Sequence, residues 1–218
     1  MTKTLYLIEN LPIIFRRIDS GEIHIPQFQR PFVWSRQNII QLFESIYNGL
    51  PIGTFLFWRS IEKNLTFSQD DFIAHTKSEE HTTYMYVIDG TQRLRALYNC
   101  LHKSDTTKNP QYWVGFDLEQ ETFVHLDNAV DSEIIVSLSS IFSPEKILNK
   151  QIALASQNNK VYFIKTFNKL VSAFVDYQIP IIVIDKVTED ELITVFERLN
   201  TRGVSLSKEE ILRARRKT

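Results

Sequence analysis

The amino-acid sequence predicts a mixed α/β fold in which strands of a sheet alternate with amphipathic helices. In residues 84–101 an aromatic and β-branched run leads through Asp89-Gly90 into leucines at helical spacing, and in residues 160–184 a helical stripe precedes a β-branched run. With 218 residues, 43% of them hydrophobic, the chain has the composition of a globular protein with a sizeable core. We therefore expect residues 1–218 to form a single domain, with the alternative that they are the N-terminal part of a longer protein left open.

The individual elements follow from periodicity and from turn residues. Helices are predicted where apolar residues recur every three or four positions, and strands where β-branched and aromatic residues cluster. The predicted helices lie within residues 9–18, from the N-cap Ser35 to Gly49, after Gly90, within residues 160–177, and after capping boxes at Thr188 and Ser207. The predicted strands lie within residues 52–58, 84–88, 112–118, 121–126, 134–138 and 181–184, the last of them expected to be covered on both faces. Two prolines make residues 23–34 extended or turn-like, and residues 59–83 predict a long loop or an edge hairpin.

The turn at Asp89-Gly90 is the most informative feature of the chain. A strand that turns directly into a helix leaves backbone N–H groups without partners at the helix start, where an anion gains hydrogen bonds and dipole energy together. Arg93 adds a full positive charge there. Two structural alternatives compete with anion binding: a hairpin at Asp89-Gly90, which the helical spacing after Gly90 disfavours, and an N-cap formed by Asp89 with Gln92 as a capping box. Capping and anion binding can coexist.

Composition excludes several classes of protein and site. The formal net charge of −1 does not suggest a surface-wide nucleic-acid binder. The basic run Arg213, Arg215, Arg216 and Lys217 is typical of a solvated helix end, with phosphate contact as the alternative. A single cysteine excludes an internal disulfide, and the five histidines lack the spacing of a zinc site. No P-loop, serine-hydrolase elbow or clustered nuclease carboxylates are recognisable. With no membrane-spanning run either, we expect a cytoplasmic protein.

Four polar motifs at element boundaries together resemble a known family. They are Gln29-Arg30 within residues 25–34, Pro51-Ile52-Gly53 within residues 50–54, Asp89-Gly90-Thr91-Gln92-Arg93 within residues 88–94, and Asn200-Thr201-Arg202-Gly203 within residues 196–207. In this order they resemble domain-of-unknown-function family number 262, the GmrS-like, ParB/sulfiredoxin-related domain of modification-dependent restriction and phage-defence proteins. The resemblance spans about residues 5–212.

The resemblance implies a ParB-like mixed sheet core surrounded by helices, which binds and often hydrolyses nucleoside triphosphates through an Asp-Gly-Gln-Gln-Arg loop. In this chain Thr91 replaces the first glutamine, so that the role of that glutamine is in doubt, while Asp89, Gly90, Gln92 and Arg93 carry over. Thr91 still offers a hydroxyl to a phosphate or a metal ion. We expect nucleotide affinity to survive this replacement and turnover to fall.

Roles for these residues follow from their chemistry. As catalytic residues, Gln92 would orient an attacking water, Arg93 would neutralise phosphate charge, and Asp89 would hold Mg²⁺. Gly90 would let the backbone approach the phosphates. The remaining nucleotide-binding candidates are Gln29, Arg30, Gly53, Thr91, Asn200 and Arg202.

The resemblance also implies partners. Family members join this domain to an HNH-type nuclease, so we expect DNA, including modified DNA, as a partner and cleavage to need that nuclease. The leading hypothesis is a nucleotide-dependent sensor and control domain. A second hypothesis is a non-catalytic DNA-binding or protein-interaction module that holds a backbone phosphate in the same loop. A nuclease built from scattered carboxylates is disfavoured by the missing cluster. Homo-oligomer formation is left open.

Overall fold

The computed structural model describes residues 3–26, 29–61, 82–102, 109–126, 133–187, 191–192 and 194–195. Its strands are β1 (Lys3–Asn10), β2 (Ile23–His24), β3 (Phe55–Ser60), β4 (Tyr84–Asp89), β5 (Val114–Asp117), β6 (Thr122–His125), β7 (Ile135–Ser137) and β8 (Gln178–Asp185). Its helices are α1 (Leu11–Asp19), α2 (Arg36–Tyr47), α3 (Thr91–Leu101), α4 (Pro144–Ala155) and α5 (Lys160–Val175). The predicted α/β class is confirmed.

A mixed five-stranded sheet forms the centre, with strand order β1-β8-β3-β4-β2. A second sheet has three antiparallel strands in the order β6-β5-β7 and includes the predicted hairpin, in which Val114 pairs with His125. Strands β2 and β4 run parallel, β3 runs antiparallel to β4, and β8 runs parallel to β3. The ends of β2 and β4 and the beginnings of β3 and β8 therefore lie along the same edge of the large sheet.

This topology brings distant parts of the sequence to one place. The segment after β2, the segment before β3, the turn after β4 and the residue before β8 all lie at the same sheet edge. Three of the four motifs of the sequence, those around Gln29, Gly53 and Gly90, therefore meet there. The fourth motif, with Asn200 and Arg202, lies outside the described residues.

Helices α1, α2, α3 and α5 bury their apolar faces in one large core. Five rings from α2, α5 and the small sheet form an aromatic cluster within it: Phe43, Tyr47, Phe116, Phe123 and Phe174. Ring centroids in this cluster are 4.9 to 6.0 Å apart, within the range in which aromatic pairs attract each other. The cluster joins the small sheet to the helices.

The structure corrects several details of the sequence-based prediction. Strand β1 and helix α4 were not predicted, although Ser143 caps α4 with Pro144 in its first turn, which is a recognisable start signal. Helix α5, predicted within residues 160–177, ends at Val175, and Pro180 lies within β8 opposite Ile8. In the run 181–184, expected to be covered on both faces, Ile181, Val183 and Ile184 are buried and Ile182 is partly exposed, so one face is covered fully and the other in part. Of the helix predicted after Thr188, residues 191–192 and 194–195 are described, and they are helical. The helix predicted after Ser207, and most of 59–83, fall outside the described residues.

Candidate functional site

Helix α3 begins without a side-chain cap. Gly90 is its N-cap residue, with φ of 94°, and the part of the chain that the structure describes provides no side-chain cap hydrogen bond there. Both structural alternatives, the hairpin and the Asp89 cap, are therefore wrong. Glycine is required at this position, because a Cβ would lie in left-handed backbone and only 2.3 Å from Cδ1 of Phe55. The result is a helix start without a side-chain cap at the positive end of the helix dipole.

A polar cleft of about 180 Å³ lies in front of this helix start. It is lined by Gln29, Arg30, Trp34, Ile88, Asp89, Gly90, Thr91, Gln92 and Arg93. Seven of the ten predicted site residues therefore line one cleft, although they come from two separate parts of the sequence. Gly53 lies behind it, against Arg93.

Gln29 and Gln92 use their amide groups to hold backbone. Nε2 of Gln29 donates to the carbonyls of Val87 and Ile88, at 3.1 and 3.0 Å. Oε1 of Gln92 accepts from the N–H of Val33 at 2.9 Å, and its Nε2 donates to the carbonyl of Pro31 at 3.0 Å. These bonds fix the segment between β2 and α2 against the end of β4 and the start of α3. Gln92 therefore does not act as a capping box here.

Arg93 is mostly buried, with 17% of its side chain exposed. Its guanidinium donates from Nη1 to the Ile52 carbonyl at 2.6 Å, and from Nη2 to the Thr54 carbonyl at 3.1 Å and to Oδ2 of Asp89 at 3.2 Å. Burial lowers its pKa, while the Asp89 charge acts in the opposite direction. These three bonds draw on the five N–H donors of the guanidinium, so Arg93 ties the start of β3 to the cleft.

Gly53 and Tyr177 complete this tie. A Cβ on Gly53, whose φ is 89°, would lie 2.4 Å from Nη1 of Arg93. The Tyr177 hydroxyl donates to the Leu50 carbonyl at 2.7 Å and accepts from the N–H of Ile52 at 3.1 Å. Burial is the main reason that the pKa of Tyr177 is raised. Sequence reasoning missed Tyr177, which lies 125 positions from Ile52 and carries no local signal of this contact.

Two polar groups in the cleft lack partners among the described residues. Thr91 is 5% exposed, and its Oγ1 is buried without a hydrogen-bond partner. Arg30 is exposed, and no described residue forms an ion pair or hydrogen bond with its guanidinium. A buried hydroxyl without a partner is costly and calls for an explanation. A ligand with acceptor oxygens would satisfy both groups.

A metal ion would find one carboxylate in the cleft. Among the described ranges, no three His, Cys, Asp or Glu side chains are grouped so that they could hold a metal ion. The Asp89 carboxylate is 54% exposed and faces the cleft beside Arg93. Asp89 could therefore contribute one ligand, with the others coming from a bound phosphate and water. The Cys100 thiol is buried in α3, where burial raises its pKa and makes it a poor nucleophile.

Comparison with known proteins identifies the family to which the chain belongs. Residues 11–216 match the family model of the GmrSD restriction endonuclease, N-terminal domain. The chain belongs to this family. The GmrSD N-terminal domain described here is also 27% identical, over 240 residues, to an uncharacterized protein of Methanocaldococcus jannaschii, MJ0686. That match covers 95% of this chain but 41% of the relative, so the chain spans less than half the length of this curated relative. No helix in the described part of the GmrSD N-terminal domain has the length and hydropathy needed to cross a membrane.

Proposed function

We propose that this GmrSD N-terminal domain binds a nucleoside triphosphate with Mg²⁺ in the cleft and acts as a sensor and control domain of a restriction or phage-defence system. One observation carries the proposal: three donor groups without a partner among the described residues line the same cleft. These are the uncapped start of α3, the buried Thr91 hydroxyl and the Arg30 guanidinium. All three favour a ligand rich in negatively charged oxygen.

The phosphate end of the ligand would lie against the start of α3. Backbone N–H groups there point along the helix axis, and Gly90 leaves room because it has no Cβ. The Thr91 hydroxyl can donate to a phosphate oxygen, which a glutamine in its place would do from a longer side chain. Arg30 lines the same cleft from the segment after β2 and can form a bidentate contact.

Asp89 fits a role in holding Mg²⁺. Magnesium bound together with a nucleotide commonly uses one or two protein carboxylates, phosphate oxygens and water, so a single exposed carboxylate suffices. Bound Mg²⁺ would neutralise phosphate charge. The ion pair of Asp89 with Arg93 keeps the carboxylate directed toward the cleft.

Gln92 and Arg93 are proposed to act mainly by keeping the cleft in shape. Both amide atoms of Gln92 are bonded to backbone, which leaves the group poorly placed to orient a water molecule. Arg93 faces the cleft, but its guanidinium donates hydrogen bonds to Asp89 and to carbonyls of the segment before β3. We therefore propose tight binding with slow hydrolysis, which a phosphate-release assay with Mg²⁺ would measure.

DNA cleavage is proposed to depend on a nuclease partner, of the HNH type implied by the motifs. The matched family is named for a restriction endonuclease. The separate match to MJ0686 covers 41% of the length of that protein. Purified chain with Mg²⁺ is expected to leave both unmodified and modified plasmid intact. Plasmid cleavage by this chain alone would contradict the proposed dependence on a nuclease partner.

Calorimetric titration of wild-type protein and of Arg30→Ala with ATP and with inorganic tripolyphosphate, each with Mg²⁺, tests the binding site. Loss of a hydrogen bond to a charged group costs about 1.5–3 kcal/mol, so the Kd of both ligands should rise roughly tenfold to a hundredfold. Arg30 is a sharper choice than Arg93, because Arg93 also holds the Ile52 and Thr54 carbonyls.

Arg16→Ala is the matched control, because Arg16 is an exposed arginine on α1. Equal affinities for wild type and Arg30→Ala would place the ligand elsewhere. Titration with duplex DNA at two salt concentrations separates the alternative function, in which the cleft holds a backbone phosphate. Salt-sensitive DNA binding that depends on Arg30, without any tripolyphosphate binding, would favour that alternative.

A further inference from the structure

The cleft has an apolar aromatic wall that phosphate binding does not use. Trp34 lines it, and the side chain is partly exposed. The other described lining residues, apart from Ile88, offer polar atoms, charge or a close backbone approach. A ligand made of phosphate alone would leave the indole unused.

Trp34 is held firmly in place. The Trp34 carbonyl accepts a hydrogen bond from Nε2 of Gln111, and the ring of Phe32 lies 6.5 Å from the Trp34 ring, between centroids. Phe32 in turn packs against the buried Tyr112 at 5.3 Å. Gln92 fixes the backbone on the preceding side at Pro31 and Val33. An indole on a fixed backbone and beside another ring loses less conformational freedom on binding than one on a free loop.

We infer that Trp34 forms the base subsite of the cleft, where the nucleobase of the bound nucleotide stacks on the indole. This inference rests on the proposed function and extends it to the nucleoside end of the ligand. Every nucleobase has a π-face, so stacking on an aromatic side chain contributes to binding without hydrogen-bond readout. The ligand is then a nucleotide, recognised by its base on one wall and by its phosphates at the start of α3.

The test compares nucleotides with tripolyphosphate on matched variants. ATP, CTP and inorganic tripolyphosphate, each with Mg²⁺, are titrated by calorimetry into wild type, Trp34→Ala and Trp34→Phe. Trp34→Ala should weaken ATP and CTP binding by about tenfold or more and leave tripolyphosphate binding unchanged, because only the nucleotides have a base to stack. Trp34→Phe should recover most of the affinity, since a phenyl ring also stacks.

Fluorescence gives a second readout that a purely structural role would not change. ATP should quench part of the tryptophan emission of wild type, and this part should be missing in Trp34→Phe although ATP still binds. Tyr6→Ala serves as the aromatic control, because Tyr6 is 77% exposed on β1 and outside the cleft. It should bind all three ligands like wild type.

The outcomes separate the two proposals. If wild type binds tripolyphosphate in an Arg30-dependent way but Trp34→Ala binds ATP as tightly as wild type, the base subsite is wrong and the phosphate site stands. Equal weakening of ATP and tripolyphosphate by Trp34→Ala, with a folded circular dichroism spectrum, also overturns it. If wild type binds neither ligand, both proposals fail.

Discussion

Two regions of the molecule are stabilised by different forces: the aromatic cluster, and the edge of the large sheet beside the cleft. The latter, here called the cleft edge, comprises Gln29, Gln92, Arg93, Tyr177 and the backbone groups they bond. At the cleft edge, side-chain amides, a guanidinium and a phenol bond to backbone carbonyls and N–H groups of three loops. In the aromatic cluster, five rings pack directly against one another and bury apolar surface. Hydrogen bonds are directional and apolar packing is not, so the cleft edge is specified in geometry while the cluster supplies stability.

Function and stability should therefore respond to substitutions in different regions of the molecule. Substitutions in the aromatic cluster should lower the free energy of unfolding and leave ligand affinity unchanged under conditions where the protein stays folded. Substitutions at the cleft edge should change affinity by more than their effect on stability suggests, because they move the loops that carry Arg30 and Trp34.

Phe116→Ala should have the largest effect on stability. Phe116 is fully buried, and its ring centroid lies 4.9 Å from those of both Tyr47 and Phe123. Truncation of a buried phenylalanine costs about 3–5 kcal/mol through lost burial and the cavity left behind. Urea unfolding should show this loss. Calorimetric titration at low temperature, where the variant stays folded, should give an unchanged Kd for tripolyphosphate. A large loss of affinity would mean that the two regions are coupled.

Gly90→Ala should come next. The substitution forces a residue with a Cβ into left-handed backbone and against the Phe55 ring, 2.3 Å away. Backbone strain and overpacking together cost about 2–4 kcal/mol. Gly49→Ala is the control, because Gly49 has φ of 68° and a Cβ there would meet nothing within 4 Å, so backbone strain of roughly 1–2 kcal/mol remains. Equal losses in urea unfolding would contradict the close approach at Gly90.

The sequence predicted the local parts of the cleft edge better than its long-range contacts. The strand, turn and helix around Gly90 follow one another along the chain, so their periodicities could be recognised. The bonds of Gln92 to Pro31 and Val33 join residues 61 and 59 positions apart, and a capping box within one helical turn looked equally suitable. The bonds of Arg93 to the Ile52 and Thr54 carbonyls could not be predicted either, because these residues become its neighbours only when β3 pairs with β4.

Strand β1 was missed for a related reason. Asn10 ends β1 and also caps α1, since its Oδ1 accepts from the N–H of Ile13, so no turn residues separate the two elements. Its apolar residues also occupy both faces: Leu5 and Leu7 pack on the core, while Tyr6 and Ile8 are exposed. Without alternation of apolar and polar residues, the period of a half-buried strand is hidden.

Gln92→Met should lower stability by about 1 kcal/mol, because two hydrogen bonds are lost at a partly exposed segment where water replaces them. Its effect on tripolyphosphate affinity should exceed that of an equally destabilising change elsewhere, since the segment carrying Arg30 is released. Gln151→Met is the control, because the Gln151 amide bonds to Oδ1 of Asn168 at the surface. An unchanged affinity in Gln92→Met would show that Arg30 does not need this clamp.

The smallest effect is expected from Glu121→Gln, at the rim of the aromatic cluster. Hydrogen bonds from Tyr47 and then Lys169 lower the pKa of the Glu121 carboxyl. A lowered pKa in the folded state means that the ionised carboxylate stabilises the fold above the unfolded pKa of about 4.3, and that this contribution is lost as the pH falls through the folded value.

The stability difference between wild type and Glu121→Gln should therefore be present at neutral pH and vanish as the pH falls below the folded pKa of Glu121. Because the Glu121 side chain is 35% exposed and water screens its charge, the difference at neutral pH should stay below about 1 kcal/mol. Urea unfolding at a series of pH values measures it. A difference that grew as the pH fell would contradict a lowered pKa. A difference as large as that for Phe116→Ala would mean that polar contacts, rather than ring packing, stabilise this side of the molecule.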